Sequence, residues 1–345
     1  MVRKMMVPSM ELVDHEGPGT QKCAVMDEIG EISIKQARVP EPEAEEVRIK
    51  IKWVGICGSD VEVFRGARDP EFITYPTRLG HEVAGVIDQV GENVIGLKEG
   101  DHVALRYVWG AFAEYICCSP FSVKVLPKNL PLIEGSLIEV LPPLLHAAEL
   151  GEIAPDKNVL IMGQGVSGLA MTQVINLFSP RNLAVTDLFE EKLDLAEKYG
   201  ATHTYQLPNE EAKTMDVVKG DFPDGFDVVI PCLLEGSGMV DAMDAAAQNG
   251  RIVMYGCIGT CHEPVDFFKM HKKRLEILTT EPKRDIDNRR FFDEGVRLVT
   301  EGLINTKETI THILPLEDIA EAFALRNDHK GDTIHVMIDC ESQKN

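Results

Sequence analysis

Asn158-Val159-Leu160-Ile161-Met162-Gly163-Gln164-Gly165-Val166-Ser167-Gly168 decides the fold of this chain. A short apolar run ends in a GxGxxG loop, and apolar residues then recur at helical spacing over residues 166–178. A GxGxxG alone is a weak signal. Set between a strand and a helix, it reads as a phosphate-binding turn. Gly163 permits the tight turn, and Gly165 lets the backbone approach a pyrophosphate. Gly168 lets helix and strand pack closely, while the helix start at Val166 and Ser167 faces the negative charge. Asp187 ends a second predicted strand, 19 residues beyond Gly168. Its carboxylate suits ribose hydroxyls and repels a 2′-phosphate. Leu188, Phe189, Glu190 and Glu191 offer no cation for that phosphate, so NAD is expected over NADP.

Working outward from this loop, strand patterns at 159–162, 183–186, 227–231 and 251–255 alternate with helical patterns at 166–178, 190–199 and 239–247. Such alternation predicts a doubly wound parallel sheet, an α/β class of fold. Before residue 151 the pattern is different. Val47, Ile49, Ile51 and Trp53 alternate as in a half-buried strand, and further strands are expected at 83–90, 103–105 and 112–117. Residues 1–21 read as a tail ahead of the first strand, and 291–300 as a helix. Two domains follow: a β-rich, barrel-like one from 1–150 and 291–345, and a dinucleotide-binding one from 151–290.

The chemistry of the first domain rests on Cys57-Gly58-Ser59-Asp60 and Gly80-His81-Glu82. A thiolate and an imidazole, distant in sequence and each beside glycine, suit a catalytic zinc that keeps one position open. Glu139 is the expected third ligand. A metal able to polarise an alcohol, followed by a dinucleotide loop, is the apparatus of hydride transfer.

At these residues the chain resembles the zinc-dependent medium-chain dehydrogenase/reductase superfamily, from about Cys23 onward. Gly55-Ile56-Cys57-Gly58-Ser59-Asp60, Gly80-His81-Glu82-Val83-Ala84-Gly85 and Ser136-Leu137-Ile138-Glu139 look like its three ligand segments. The turn from Gly91-Glu92-Asn93-Val94 to Gly100-Asp101-His102-Val103 looks like its following signature. The resemblance implies a GroES-like β-rich catalytic domain beside a Rossmann domain. Glutamate at 139 places the chain nearer the sorbitol- and threonine-dehydrogenase-like members than the plain alcohol dehydrogenases. Glu82 then either visits the zinc during ligand exchange or tunes its field, and Asp60 orients the histidine ligand. Ser59 relays the hydroxyl proton.

Three departures stand out. No four-cysteine lobe follows Val103, so one catalytic zinc and no structural zinc is expected. Glu62 stands where many relatives carry a relay histidine. Val140-Leu141-Pro142-Pro143 is unusual after the glutamate.

Composition narrows the rest. A net charge of −21 over 345 residues argues against nucleic acid as a partner. No apolar run approaches the ~20 residues that span a bilayer. Eight cysteines without a CxxC or a disulfide-like framework indicate a reducing, cytoplasmic setting. The expected partner is a small alcohol or carbonyl substrate, and the expected assembly a homodimer or homotetramer. Tyr107, Trp109 and Phe121 are candidate pocket walls, His146 either faces the cleft or packs in a core, and Lys283, Arg284, Arg289 and Arg290 form a basic cluster able to read an anion. Two other readings compete with a dehydrogenase. One is a zinc-free quinone or enoyl reductase of the same fold, and the other a non-catalytic dinucleotide-binding protein.

Overall fold

The computed structural model describes residues 7, 10–67, 73–207, 215–232, 237–256, 264–280, 285–328 and 331–341. The chain divides into two compact units. One comprises Met1–Glu139, Phe292–His329 and His335–Asn345; the other comprises Val140–Phe291 and Lys330–Ile334. The helix Leu141–Leu150, assigned by sequence to the first domain, therefore lies in the second unit.

The first unit is built on two sheets. A small one orders Leu12–Val13, Glu31–Arg38 and Thr20–Glu28, so part of the expected N-terminal tail is paired strand. The large one runs Ile310–Pro315, His335–Asp339, Val47–Gly55, Glu82–Val90, His102–Leu105, Val123–Val125, and Tyr115–Cys118 also pairs with Val47–Gly55. Val47–Gly55 is its spine. Val47, Ile49 and Ile51 are fully buried, each worth roughly 1.5–3 kcal/mol of apolar burial. The alternation fails at Trp53, because a register shift against Glu82–Val90 between Ile51 and Trp53 turns Val54 inward in its place. The core continues through Leu79, Val83, Ile87, Leu105, Phe112, Phe323 and Val336.

The second unit carries a six-stranded, all-parallel sheet. Its order is His203–Gln206, Asn182–Asp187, Asn158–Met162, Phe226–Pro231, Ala246–Met254, Glu276–Thr279. The strand order reverses between Asn158–Met162 and Phe226–Pro231, and ligands of such sheets sit beyond the carboxyl ends of the strands at that switch. The glycine loop leaves the sheet there, from the end of Asn158–Met162. Leu160, Phe226, Val229, Met243 and Ile252 form part of this unit's own core.

Candidate active site

Cys57 stands immediately before the helix Gly58–Arg65, which the sequence patterns did not predict. Asp60 organises this turn and ties it to the histidine segment. Fully buried, it accepts from the Cys57 backbone N–H with Oδ2 at 3.1 Å and from the Gly80 N–H with Oδ1 at 3.1 Å. The same carboxylate lies 3.5 Å from His81 Nδ1. One residue thus sets two loops and one ring. One donor atom each from Cys57, His81 and Glu82 lies within 4.8 Å of the others. Among the described residues no other trio of His, Cys, Asp or Glu converges in this way.

The electrostatics are those of buried donors competing for protons. Burial pushes the Cys57 thiol up, and Glu82 adds to the effect. Burial disfavours charge on His81, but Asp60 and Cys57 outweigh it and raise the imidazole well above its ordinary range. Burial would raise Glu82 as well; His335 and then His81 overcome this and hold its carboxyl below the usual value. His81 Nδ1 and both Glu82 oxygens have no well-aligned hydrogen bond. A divalent cation satisfies such a set in place of protons. Thiolate, imidazole and carboxylate are the donor chemistry of zinc, so the residues fit that ion.

Glu139 is not in the converging trio, whose third donor is Glu82. The Glu139 carboxylate faces Arg106 instead, with Oε1 3.7 Å from Nε. Burial pushes Glu139 up to about 7, against the pull of Arg106 and His81. Glu82 is drawn the other way, its Oε2 2.9 Å from Nε2 of the fully buried His335. Gly55 makes that approach possible, since a Cβ there would meet Glu82 Oε2 at 2.2 Å and His335 Nε2 at 2.4 Å. Ser59 Oγ lies 3.4 Å from His81 Nε2. Glu62, half-buried, follows one helical turn later on the same helix. The Trp109 ring centroid is 4.3 Å from that of His81. Buried Arg326 feels Cys57, Glu82 and Asp60, though burial lowers it.

Sequence reasoning missed His335, Arg326 and Arg106. His335 and Arg326 carry no local signal, because distant strand and helix packing brings them in. Arg106 did carry one: it is the single charge in Val-Ala-Leu-Arg-Tyr-Val-Trp-Gly-Ala-Phe-Ala, residues 103–113.

In the second unit Gly163 has φ +90° and starts the turn after its strand. A Cβ on Gly168 would lie 1.9 Å from the Gly163 carbonyl oxygen, whereas one on Gly165 would meet open space. Val166 and Ser167 open the helix Val166–Asn176. Asp187 Oδ2 accepts from the Gln164 N–H at 2.6 Å, which places this carboxylate against the loop. Gln164 braces the turn from inside, its Nε2 donating to Gly163 O and its Oε1 accepting from Thr172. Its place inside the GxGxxG spacer hid that role in the sequence.

The remaining candidates disperse. His146 packs, its Nδ1 2.7 Å from the Thr280 carbonyl and its ring beside Phe291. Arg290 pairs with Glu149 at 2.7 Å and covers the Phe291 ring. Lys283 and Arg284 lie outside the described residues. Tyr107 and Phe121 stack on one another at 6.2 Å.

The chain is similar to known proteins along both units. Residues 43–128 match the alcohol dehydrogenase GroES-like domain, and residues 167–281 match the zinc-binding dehydrogenase domain. The chain belongs to the zinc-dependent medium-chain dehydrogenase/reductase superfamily. It is 28% identical to the sorbitol dehydrogenase of Bacillus subtilis (strain 168), over 94% of this chain and 98% of that one. It is 28% identical to the D-xylulose reductase of Saccharomyces cerevisiae, over 93% and 98%. Among solved structures, the alcohol dehydrogenase rspB of Escherichia coli CFT073, complexed with NADH, superposes with a TM-score of 0.81 at 25% identity, covering 93% of this chain and all of that one. The superfamily member is thus an oxidoreductase of the sorbitol-dehydrogenase-like branch, with a GroES-like and a Rossmann-type unit.

Proposed function

We propose that this oxidoreductase interconverts a secondary alcohol of a polyol and the corresponding ketone, with one catalytic zinc and with NAD in preference to NADP. The convergence of donors from half-buried Cys57 and buried His81 and Glu82 carries the reading. Cys57 and His81 would hold the ion with Glu139 as the third donor, and Glu82, whose carboxylate converges on Cys57 and His81, would be the exchangeable or field-tuning carboxylate. Zinc supplies Lewis acidity toward a hydroxyl or carbonyl oxygen. The nicotinamide supplies the hydride acceptor. The chain's own residues do the rest. Asp60 fixes the donors, and Ser59 takes the hydroxyl proton. Glu62 passes it outward, and the half-buried Trp109 excludes water from the His81 side. Gly163, Gly165, Val166, Ser167 and Gly168 cradle the pyrophosphate, and Asp187 accepts from the ribose hydroxyls. The GroES-like catalytic assignment of the first unit, the Rossmann assignment of the second, a cytoplasmic location and a homodimeric or homotetrameric assembly belong to the same proposal.

The test is metal analysis with kinetics on a panel of pentitols and hexitols. One zinc per chain after dialysis, lost in Cys57→Ser and His81→Ala, is expected, with faster reduction of NAD than NADP at subsaturating cofactor. Glu82→Gln and Glu139→Gln, analysed for zinc separately, assign the third donor. A chain that retains no zinc and reduces neither cofactor would sink the reading.

A further inference from the structure

We propose that Arg106 selects the substrate, and that the substrate is a hydroxy compound bearing an anionic group, a carboxylate or a phosphate, near the reacting carbon. This rests on the dehydrogenase reading and adds the charge class of what is oxidised. Arg106 follows the strand His102–Leu105 and is pinned there by its backbone N–H, which donates to Ser122 O at 2.9 Å. The residue is only 7% exposed, yet its Nε and Nη1 donate to no acceptor among the described residues. A buried guanidinium with dry donors is costly, so this arrangement calls for an acceptor.

Glu139 does not fill that role. At 3.7 Å from Nε it attracts the cation but lies beyond hydrogen-bond range. Were Arg106 present only to neutralise Glu139, the planar fork would close on the carboxylate with paired bonds. The opening is also shaped. Tyr107 covers one face of the guanidinium, with its ring centroid 4.6 Å from Cζ. Tyr107 holds φ +61° to do so, a backbone conformation that an aromatic residue adopts only at a cost. With one face covered, the edge donors are left for a ligand.

The position is that of a substrate-reading group. Arg106 Nε lies 3.7 Å from Glu139, and Trp109, three residues after Arg106, lies against the His81 ring. An acceptor at Arg106 therefore belongs to a molecule whose hydroxyl reaches the metal donors. The chain carries a net charge of −21, so an anion arrives against the overall field and needs a local cation at its destination. Guanidinium matches planar anionic oxygens better than ammonium does. A site built this way also rejects neutral analogues, because they leave its buried donors unpaired.

The experiment compares matched six-carbon substrates on zinc-loaded enzyme: D-sorbitol, D-sorbitol 6-phosphate and D-gluconate. The readout is the ratio of kcat/KM for each anionic compound to that for sorbitol, taken within one preparation so that the amount of active enzyme cancels. The wild-type ratio should exceed unity by roughly 10- to 100-fold for the phosphate or for the carboxylate, and the compound that does so identifies the anion. Arg106→Gln should bring that ratio to near unity, and Arg106→Lys, which keeps the charge without the fork, should retain part of it. A wild-type ratio at or below unity for both anions, or a ratio unmoved in Arg106→Gln, overturns the proposal. Titration calorimetry with the same three compounds separates binding from turnover. Anion binding that weakens in Arg106→Gln without any cofactor reduction would overturn the dehydrogenase reading and leave the role of Arg106 standing.

Discussion

Asp60 shows how much of a metal site can depend on a residue that is not a ligand. Each of its oxygens serves one backbone N–H, Cys57 on one side and Gly80 on the other. Asp60→Asn removes one of those acceptors and sets an NH2 group against a backbone donor. A buried donor left unmatched costs about 1–3 kcal/mol, and losing an outer partner of a metal ligand costs roughly 10- to 100-fold in metal affinity. The variant should therefore melt at a lower temperature and give up zinc to a competing chelator far sooner than wild type. Wild-type zinc retention with unaltered melting would show that the loops hold themselves. At this scale the sequence was legible where chemistry is local. Cys57, Ser59, Asp60 and His81 sit in two short segments and do come together. The neighbours that separate Glu82 from Glu139 were only partly legible. Arg106, a lone charge in an apolar run, draws Glu139, whereas His335 draws Glu82 and arrives with no local signal on a strand from the far end of the chain.

Among the elements, the glycine loop separates fit from function most cleanly. Gly168 is needed by the fold: a methyl there would run into the backbone oxygen of Gly163, which cannot swing away. Gly165 is different. Its φ of −70° and ψ of −171° suit any residue, and a methyl there meets nothing. Gly168→Ala should cost about 1–3 kcal/mol of stability by overpacking, and with it NADH binding. Gly165→Ala should melt like wild type yet bind NADH at least tenfold more weakly, because the added methyl stands where the pyrophosphate must approach. Thermal unfolding and NADH fluorescence titration read the two effects. NADH affinity at the wild-type level in Gly165→Ala would mean that the loop does not hold the pyrophosphate. Strand and helix patterns around this loop were legible because the period changes abruptly at Gly163. The helix Gly58–Arg65 was not, since Cys57-Gly58-Ser59-Asp60 reads as a loop; its Gly66 stop, at φ +71°, is visible only in the structure. Trp53 misled for a related reason, as a register shift inside a strand leaves no mark on its alternation.

For the whole molecule, what matters is that each unit has a core of its own. The first is closed by strands from both ends of the sequence, Val47–Gly55 against His335–Asp339, and the second is a continuous βα progression. The progression could be read from sequence; the return of His335–Asp339 to the first sheet could be guessed as a return but not given a register, because pairing at such separation leaves no local signal. Neither core, through Ile49, Ile51, Phe112 and Phe323 in one and Leu160, Phe226 and Ile252 in the other, depends on the proposed ligands for its apolar burial. Metal and cofactor should therefore stabilise locally rather than globally. Amide hydrogen exchange tests this directly. Removal of zinc with dipicolinate should speed exchange in the helix Gly58–Arg65 and at Leu79–Val83, where Asp60 joins the two ligand loops, and leave Asn158–Met162 and Phe226–Pro231 as slow as before. NADH should do the reverse, slowing exchange at Gly163, Gln164 and the first turn of Val166–Asn176 while the ligand loops keep their rates. If chelation instead loosened both sheets together, the ion would be a staple of the whole fold, and the converging donors of Cys57, His81 and Glu82 would have to be read as structural rather than catalytic.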